Sequence, residues 1–498
     1  MSTADSPQSA DTAAGPPRHK HWLWPTRRRV ILGLVVALAI WGWLDVRRRG
    51  ESDPERWWEQ KTDLTVYTEA GAAFFDQRDP YEVTNLRGWK YLYLPLFAIV
   101  LAPLHHLDAH DQVMVWFALS VLMGWGCYHE LVRIARRVLP EGTPQGQFGP
   151  IPDWLGYTAV AAVTLPALNC LQRGQVGLAK LYLLLLGFRL LIEGRSWWRG
   201  LAGGFAFALA ITLKITPIVP AAIALGQAGV AAWNAHLKTL WVRVSAGSLG
   251  TVAGLAAAIL IVPGLLIGWQ TNLDHLDTWW NKIAMRAEKT TEVKFAGDST
   301  SVRNQSLSNA VHRLGNWAHY VLADGPNDAG SQHATKDGPV WAMDAPVVDR
   351  ALLVPRFLAA CLAVLVGFRM GRSQDALGQA AAFGLACIAT LVIFPIARGH
   401  YYVLLLPGVV FVSLWILRDG RRRLALTMAI IPAALVIAHY VALKQAGRIG
   451  LLGLGTTGWY AIAGCLLLWP QKSAAAGAGS TPDETAPDAS TDQRPLAA

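Results

Sequence analysis

The chain has 498 residues, of which 53% are hydrophobic and 16% are charged, against roughly a quarter charged in an ordinary soluble domain. That imbalance excludes a soluble enzyme and points to a membrane protein. The formal net charge of +10 does not imply nucleic acid: basic residues cluster beside apolar runs, as in "TRRR" and "RDGRRR" (418–423), where cytoplasmic retention of Lys and Arg explains them.

In chain order, residues 1–29 read as a disordered cytoplasmic tail and residues 471–498 as a disordered tail, both rich in Ser, Ala, Asp and Pro. The first apolar run, "VILGLVVALAIWGWL", is followed by no small-residue cleavage site, so it reads as a retained anchor. Candidate spans follow at 30–44, 92–107, 113–132, 154–169, 175–192, 200–225, 243–268, 351–368, 376–396, 401–417, 424–443 and 450–469. Each approaches the about 17 to 25 residues that a bilayer core requires. The fold class is therefore an all-α polytopic membrane bundle of about 10–13 helices over residues 30–470.

Two polar segments stand out, 45–90 and 269–350, and counting spans places both on one face as a site and its lid. In the first, "LTVYTEAGAAFF" has helical spacing and predicts a short amphipathic helix on the membrane surface, with Asp63 at its N-terminus. Simple alternation leaves a conflict, because "RIARR" (133–137) and "EGRSWWR" (193–199) fall outside. The prolines inside 92–107 and 200–225 offer a way out if those segments are broken or re-entrant.

Lys214 lies in a long apolar run, where an ammonium costs about 2.5 to 3.5 kcal/mol and so calls for a cavity or partner. "NCLQRGQVGLAK" puts Arg173 and Gln175 between two apolar runs, and "PIARGHYYVLLLP" puts Arg398 and His400 at a helix boundary. Asn304 begins an Asn-x-Ser pattern, a weak glycosylation signal. The five scattered cysteines indicate neither a disulfide framework nor a metal site. No phosphate-binding Gly loop, zinc motif or Ser/His/Asp set appears, which leaves a lipid-embedded substrate as the natural candidate.

The order of motifs carries more than any one of them: "DLTVY" from Asp63, "DPY", "YLYLPLFAIVLAPL", "RGQVGL", "AGGFAFALAITLKITP", "NQSL" and "GHYYVLLLP". Over residues 30 to 410 this order resembles glycosyltransferase family 87, membrane enzymes of the GT-C class that include polyprenol-phosphate-mannose-dependent mannosyltransferases. The chain departs from the family pattern in having Leu94 between Tyr93 and Pro95, and Gly177 where Asn is common.

The resemblance implies a GT-C fold, an extracytoplasmic active site and a bacterial plasma membrane. It implies Asp63 as the base, for which the neighbouring Glu69 and Asp76 serve as controls, and a leaving phosphate for which Lys214, Arg173, His400, Arg398 and Arg313 are the candidate ligands. Tyr67, Tyr93, Gln175, Asn304 and Gln305 are the matching substrate-binding candidates. The implied partners are a polyprenyl-phosphate-linked sugar donor, a lipid or glycan acceptor and membrane lipids, with no nucleic acid, cofactor or metal. Two alternatives stay open: a lipid or lipid-linked-sugar transporter, since broken helices and intramembrane charge suit one equally, and a GT-C enzyme using arabinofuranose or glucose.

Overall fold

A computed structural model describes residues 24–50, 62–84, 90–193, 196–284, 304–311 and 345–469. Arg313, much of the 269–350 segment and the tails up to residue 23 and from residue 470 lie outside these. The described chain is helical, with isolated bridges in place of strands.

Helix α1 (Trp24–Gly50) begins inside the segment read as a tail, because Trp24 to Arg29 continue the turn of the anchor. Then come α2 (Leu64–Phe75), α3 (Pro95–Leu101) with a 3₁₀ turn at Ala102–His106, α4 (Ala109–Val138), α5 (Asp153–Arg173), α6 (Gly177–Glu193), α7 (Trp197–Leu213) and α8 (Ile218–Ala235). Helix α9 (Lys238–Ala256) runs through a π turn into α10 (Val262–Ile267), and α11 (Trp269–Trp279) follows. After 307–311 come α12 (Ala345–Ser373), α13 (Ala376–Ile393), a 3₁₀ turn (Gly399–Leu404), α14 (Leu405–Arg418), α15 (Arg422–Val441), α16 (Leu443–Arg448) and α17 (Leu451–Leu468).

Nine helical segments among the described residues are long and apolar enough to cross a bilayer. The chain is therefore a multi-pass membrane protein. The 20-residue segment 399–418 spans about 30 Å at 1.5 Å per residue, the thickness of a bilayer core. That segment and α13 form the centre of the bundle: 89% and 83% of their apolar windows are buried, against 28–44% for the other seven. A helix apolar on every side suits a fully enclosed position, and "AAAFGLACIATLV" has no polar stripe to offer. Outer helices turn Leu122, Val252, Leu265 and Phe357 outward instead, where lipid solvates them.

Close approach fixes the α7–α9 seam. A Cβ on Gly204 would stand 1.9 Å from the Gly247 carbonyl oxygen, and one on Gly250 would stand 2.1 Å from that of Leu201. Without a hydrophobic driving force between helices in lipid, such small-residue stripes supply packing that larger side chains would prevent.

Three sequence expectations change. Segment 92–107 is no full span but α3 plus a 3₁₀ turn, with Pro95 and Pro103 opening the two pieces. Segment 200–225 is not one span but two helices, α7 and α8, broken at 214–217. Thr216 precedes Pro217, which disfavours helical backbone there, and Lys214 is extended at φ −170°. One crossing fewer before α4 and one more at α7/α8 move "RIARR" and "EGRSWWR" to the other face and leave later elements where twelve crossings put them. Finally, α2 is not a surface helix. Leu64 to Thr68, Ala70, Gly71, Ala73 and Phe74 are all buried, because Gly71 lets the helix press on Ala98 and Ala102 of the broken segment.

Candidate active site

Five chain ends or breaks converge on one side of the bundle. They are the start of α2, the stretch before α3, the α5–α6 turn, the α7–α8 break and the 395–401 stretch before α14. They enclose a cavity of about 80 Å³ lined by Asp63, Val66, Tyr67, Lys90, Leu92, Tyr93, Gln175, Lys214, Ile396, Arg398, His400 and Tyr401.

Asp63 occupies the N-cap position of α2, yet its side chain caps nothing there; the N–H of Leu64 donates to Thr62 Oγ1 instead, at 3.2 Å. The carboxylate turns away to the α5–α6 turn. Its Oδ2 accepts from Gln175 Nε2 at 2.5 Å and from Arg173 Nε at 3.3 Å, and Arg173 Nη2 lies at 3.3 Å. The Asp63 N–H donates to the Arg173 carbonyl at 3.0 Å, so backbone and side chain tie the same two segments. Gly174 makes this possible. At φ +65° it ends α5 left-handed, and a Cβ there would meet Leu64 Cβ at 3.1 Å. The pair is largely shielded, with side chains 13% and 14% exposed, which strengthens the ion pair relative to one in water.

The opposite wall is cationic and aromatic. Lys214 stands in the break, outside both α7 and α8, and donates to the Tyr401 hydroxyl. Its ammonium lies 3.9 Å from the Tyr401 ring centroid and 5.7 Å from that of Tyr93, both within cation–π range. Burial, then the Arg398 charge, lowers its pKa to about 7. Tyr67 and Tyr93 share a hydroxyl contact at 3.1 Å. Burial pushes both phenols well above the usual tyrosine value, so both stay protonated and serve as hydrogen-bonding groups. His400 is buried, with no hydrogen-bond partner on Nε2 among the described residues.

Asn304 and Gln305 line no part of the cavity. They form a strap that holds the 395–398 stretch. Asn304 Oδ1 accepts from the Ala397 N–H at 3.0 Å, Gln305 N donates to the Ala397 carbonyl at 2.7 Å, and Asn304 bridges Arg398 through its backbone. The Asn304 side chain is 4% exposed and engaged with Pro395 and Ala397, which leaves no accessible amide for glycosylation. Gly177, the departure from the family pattern, packs so closely that a Cβ would lie 2.5 Å from Cys170 Sγ and 3.1 Å from the His400 carbonyl oxygen.

A partial roof joins the two polar segments. Trp279 Nε1 donates to the Leu92 carbonyl at 3.2 Å, and Lys282 reaches Asp79 at 3.1 Å and Glu82 at 3.2 Å. Glu69 pairs with His105 at 3.2 Å and Asp76 with Arg78 at 2.9 Å. Neither acid lines the cavity.

Sequence reasoning missed Tyr401, Lys90 and Lys180. Tyr401 adjoins the His400 already singled out; Lys180 hides one turn into α6, where its buried ammonium meets Thr216 Oγ1 at 3.4 Å and the Tyr401 ring at 5.1 Å. No group of three or more His, Cys, Asp or Glu side chains suited to a metal gathers among the described residues. The polar groups around the cavity are mostly cations and hydrogen-bond donors, a set that suits an anion.

Residues 91–395 match Glycosyltransferase family 87. No curated protein and no solved structure matches the chain significantly. The matched stretch holds Tyr93, Arg173, Gln175, Lys180 and Lys214, whereas Asp63, Tyr67, Arg398, His400 and Tyr401 flank it. Folding alone joins the two sets.

Proposed function

The chain belongs to glycosyltransferase family 87, and from that premise we propose that it moves mannose from a polyprenyl-phosphate donor to a lipid or glycan acceptor, with Asp63 as the base. As a membrane glycosyltransferase it needs a sugar donor and an acceptor; the finer assignment is our reading of the cavity. The observation that carries it is the polarity of the site: one carboxylate, held by Arg173 and Gln175, across from Lys214, Arg398 and His400.

In this reading an acceptor hydroxyl oxygen bonds to the anomeric carbon while the bond from that carbon to the phosphate oxygen breaks. The electron pair leaves with the phosphate, and the hydroxyl proton passes to Asp63. One negative charge therefore moves from Asp63 to the leaving group, which changes from a phosphodiester monoanion to a phosphomonoester dianion. Proton removal by a positioned carboxylate is worth about 10²- to 10⁴-fold, and cations placed where charge develops supply further stabilisation. This reading assigns that part to the cations Lys214 and Arg398, with the His400 imidazole as a neutral hydrogen-bonding group beside them. Arg173 is better assigned to holding Asp63 than to the donor phosphate, since its guanidinium is already on that carboxylate. A single displacement inverts the anomeric centre, so a β-linked donor gives an α-linked product.

An apolar groove of about 310 Å³ between α4, α5, α6 and α14 supports a polyprenyl donor. It begins at Leu171, Leu178 and Val403, within three residues of Arg173, Gln175 and His400. Charge supports an extracytoplasmic site in a plasma membrane. Arg133, Arg136 and Arg137 end α4, Arg199 opens α7, Lys238 and Arg243 open α9, and Arg418 to Arg423 join α14 to α15, all at the helix ends remote from the cavity. The positive-inside rule assigns those ends to the cytoplasm.

Purified protein incubated with radiolabelled polyprenyl-phosphate-mannose and membrane acceptors tests the proposal. Label should appear in a lipid or glycan. Label that remains on the donor, while polyprenyl-phosphate-arabinofuranose or -glucose is consumed, overturns the sugar assignment; label in protein overturns the acceptor class.

A further inference from the structure

The buried charge behind the cavity has no carboxylate beside it among the described residues. Lys180, on α6, is 1% exposed. Its nearest polar partner is the neutral Thr216 hydroxyl at 3.4 Å, and its other neighbour is the ring of Tyr401, 5.1 Å away. The same ring receives Lys214 at 3.9 Å, and the Tyr401 hydroxyl accepts from that ammonium. Tyr401 is thus held by two cations, one lining the cavity and one behind it.

A lysine kept as a packing element would be expected to pair with an acid or to snorkel to a surface. Lys180 does neither. Arg173 already balances the charge of Asp63, so the Lys180 ammonium is surplus positive charge behind the cavity. Surplus charge in a low-dielectric setting is tolerated where a ligand supplies the counter-charge.

We propose that Lys180 is a positioning and charge-matching residue for the donor phosphate: it fixes Tyr401, through it aims Lys214 at the cavity, and adds the positive charge that favours a doubly charged leaving group. This rests on the glycosyl-transfer reading. Lys180 touches no substrate; it acts through Tyr401 and through space. The expected signature is selectivity for charge on the ligand, with little effect on affinity for the acceptor.

The test compares binding of geranylgeranyl phosphate with that of uncharged geranylgeraniol, by thermal-shift titration of the purified full-length protein in detergent. The wild-type protein should prefer the phosphate. Lys180→Met, which keeps volume and removes charge, should lose about tenfold of that preference, as expected for deleting one partly buried charge several ångströms from the ligand. Lys180→Arg should restore most of it. Thr216→Val, which frees the ammonium without removing it, should lose a smaller part and serves if Lys180→Met does not fold. A packing role predicts the reverse order, with Met tolerated and the larger Arg not, and that order overturns the inference. Unchanged phosphate preference in both Lys180→Met and Thr216→Val also overturns it. If the wild-type protein itself shows no preference for the phosphate, the donor reading fails rather than the role of Lys180.

Discussion

The two ends of the helical bundle treat buried charge in opposite ways. At the basic end, Arg189 meets Glu130 and Glu193, with Glu193 at 2.6 Å, and Arg418 holds Asp375 through two contacts at 2.7 Å. Arg243 donates to the carbonyls of Leu191 and Ile192. Each of these three cations has its acid or its acceptors, and helices are the parts being joined. At the cavity end, Asp63, held by Arg173, is the one acid lining the cavity among the described residues, against Lys214 and Arg398 in the lining and Lys180 behind it, and what meets there is loops and helix breaks. Matched charge holds helices together; mismatched charge is kept for a ligand. The two ends should therefore answer mutation differently.

The largest expected effect is at the matched end. Glu130→Ala removes the more buried of the two acids on Arg189 and leaves the guanidinium with Glu193 alone, which costs a substantial part of the about 3 to 5 kcal/mol lost when a buried pair is broken outright. Thermal unfolding in detergent should show a marked drop in Tm, and adding Arg189→Met should recover much of it. A negligible drop would mean that water reaches Arg189 and that the two ends do not differ in this way.

The cavity end should show the opposite. Lys214→Met removes a cation that its surroundings oppose, so Tm stays or rises while the KM for donor increases by about tenfold and that for acceptor changes little. Equal changes in both KM values would make Lys214 a structural residue.

A smaller effect is expected from pH. Burial, reinforced by Arg398, sets the Lys214 ammonium at about pKa 7, so the charge is present below pH 7 and lost above it. An anionic donor binds the charged form, and its KM should rise between pH 7 and 9. Lys214→Arg, charged throughout, should flatten that rise. A wild-type profile that is level over the same range would contradict the assignment.

Much of this was legible in the chain. Helices α4, α5, α6, α13, α14, α15 and α17 follow apolar runs, because hydropathy decides where a backbone with no water must satisfy itself. Proline marked both broken segments, but whether Pro217 kinks one span or separates two depends on the backbone of Lys214 to Thr216, which no local pattern specifies. The burial of α2 was hidden because its apolar positions suit a membrane surface and a protein interior equally. Asp63, Tyr93, Gln175, Lys214, Arg398 and His400, predicted from separate motifs, share one cavity. Asn304 and Gln305 carry the same kind of motif and instead brace the stretch bearing Arg398, since a polar side chain does not announce whether its partner is a ligand or a backbone carbonyl. Lys180 escaped notice because it stands out only by its neighbours, a hydroxyl and a ring with no acid among the described residues, and sequence does not display them.

The most direct measurement is sugar transfer by purified Asp63→Asn beside Glu69→Gln, both first shown to fold by their thermal unfolding. Asparagine keeps an oxygen for Arg173 and Gln175 but cannot take the proton. Transfer should fall by about 10²- to 10⁴-fold in Asp63→Asn and remain near normal in Glu69→Gln. Near-normal turnover by folded Asp63→Asn would make the carboxylate a pin between α2 and the α5–α6 turn, and the base would have to be sought elsewhere.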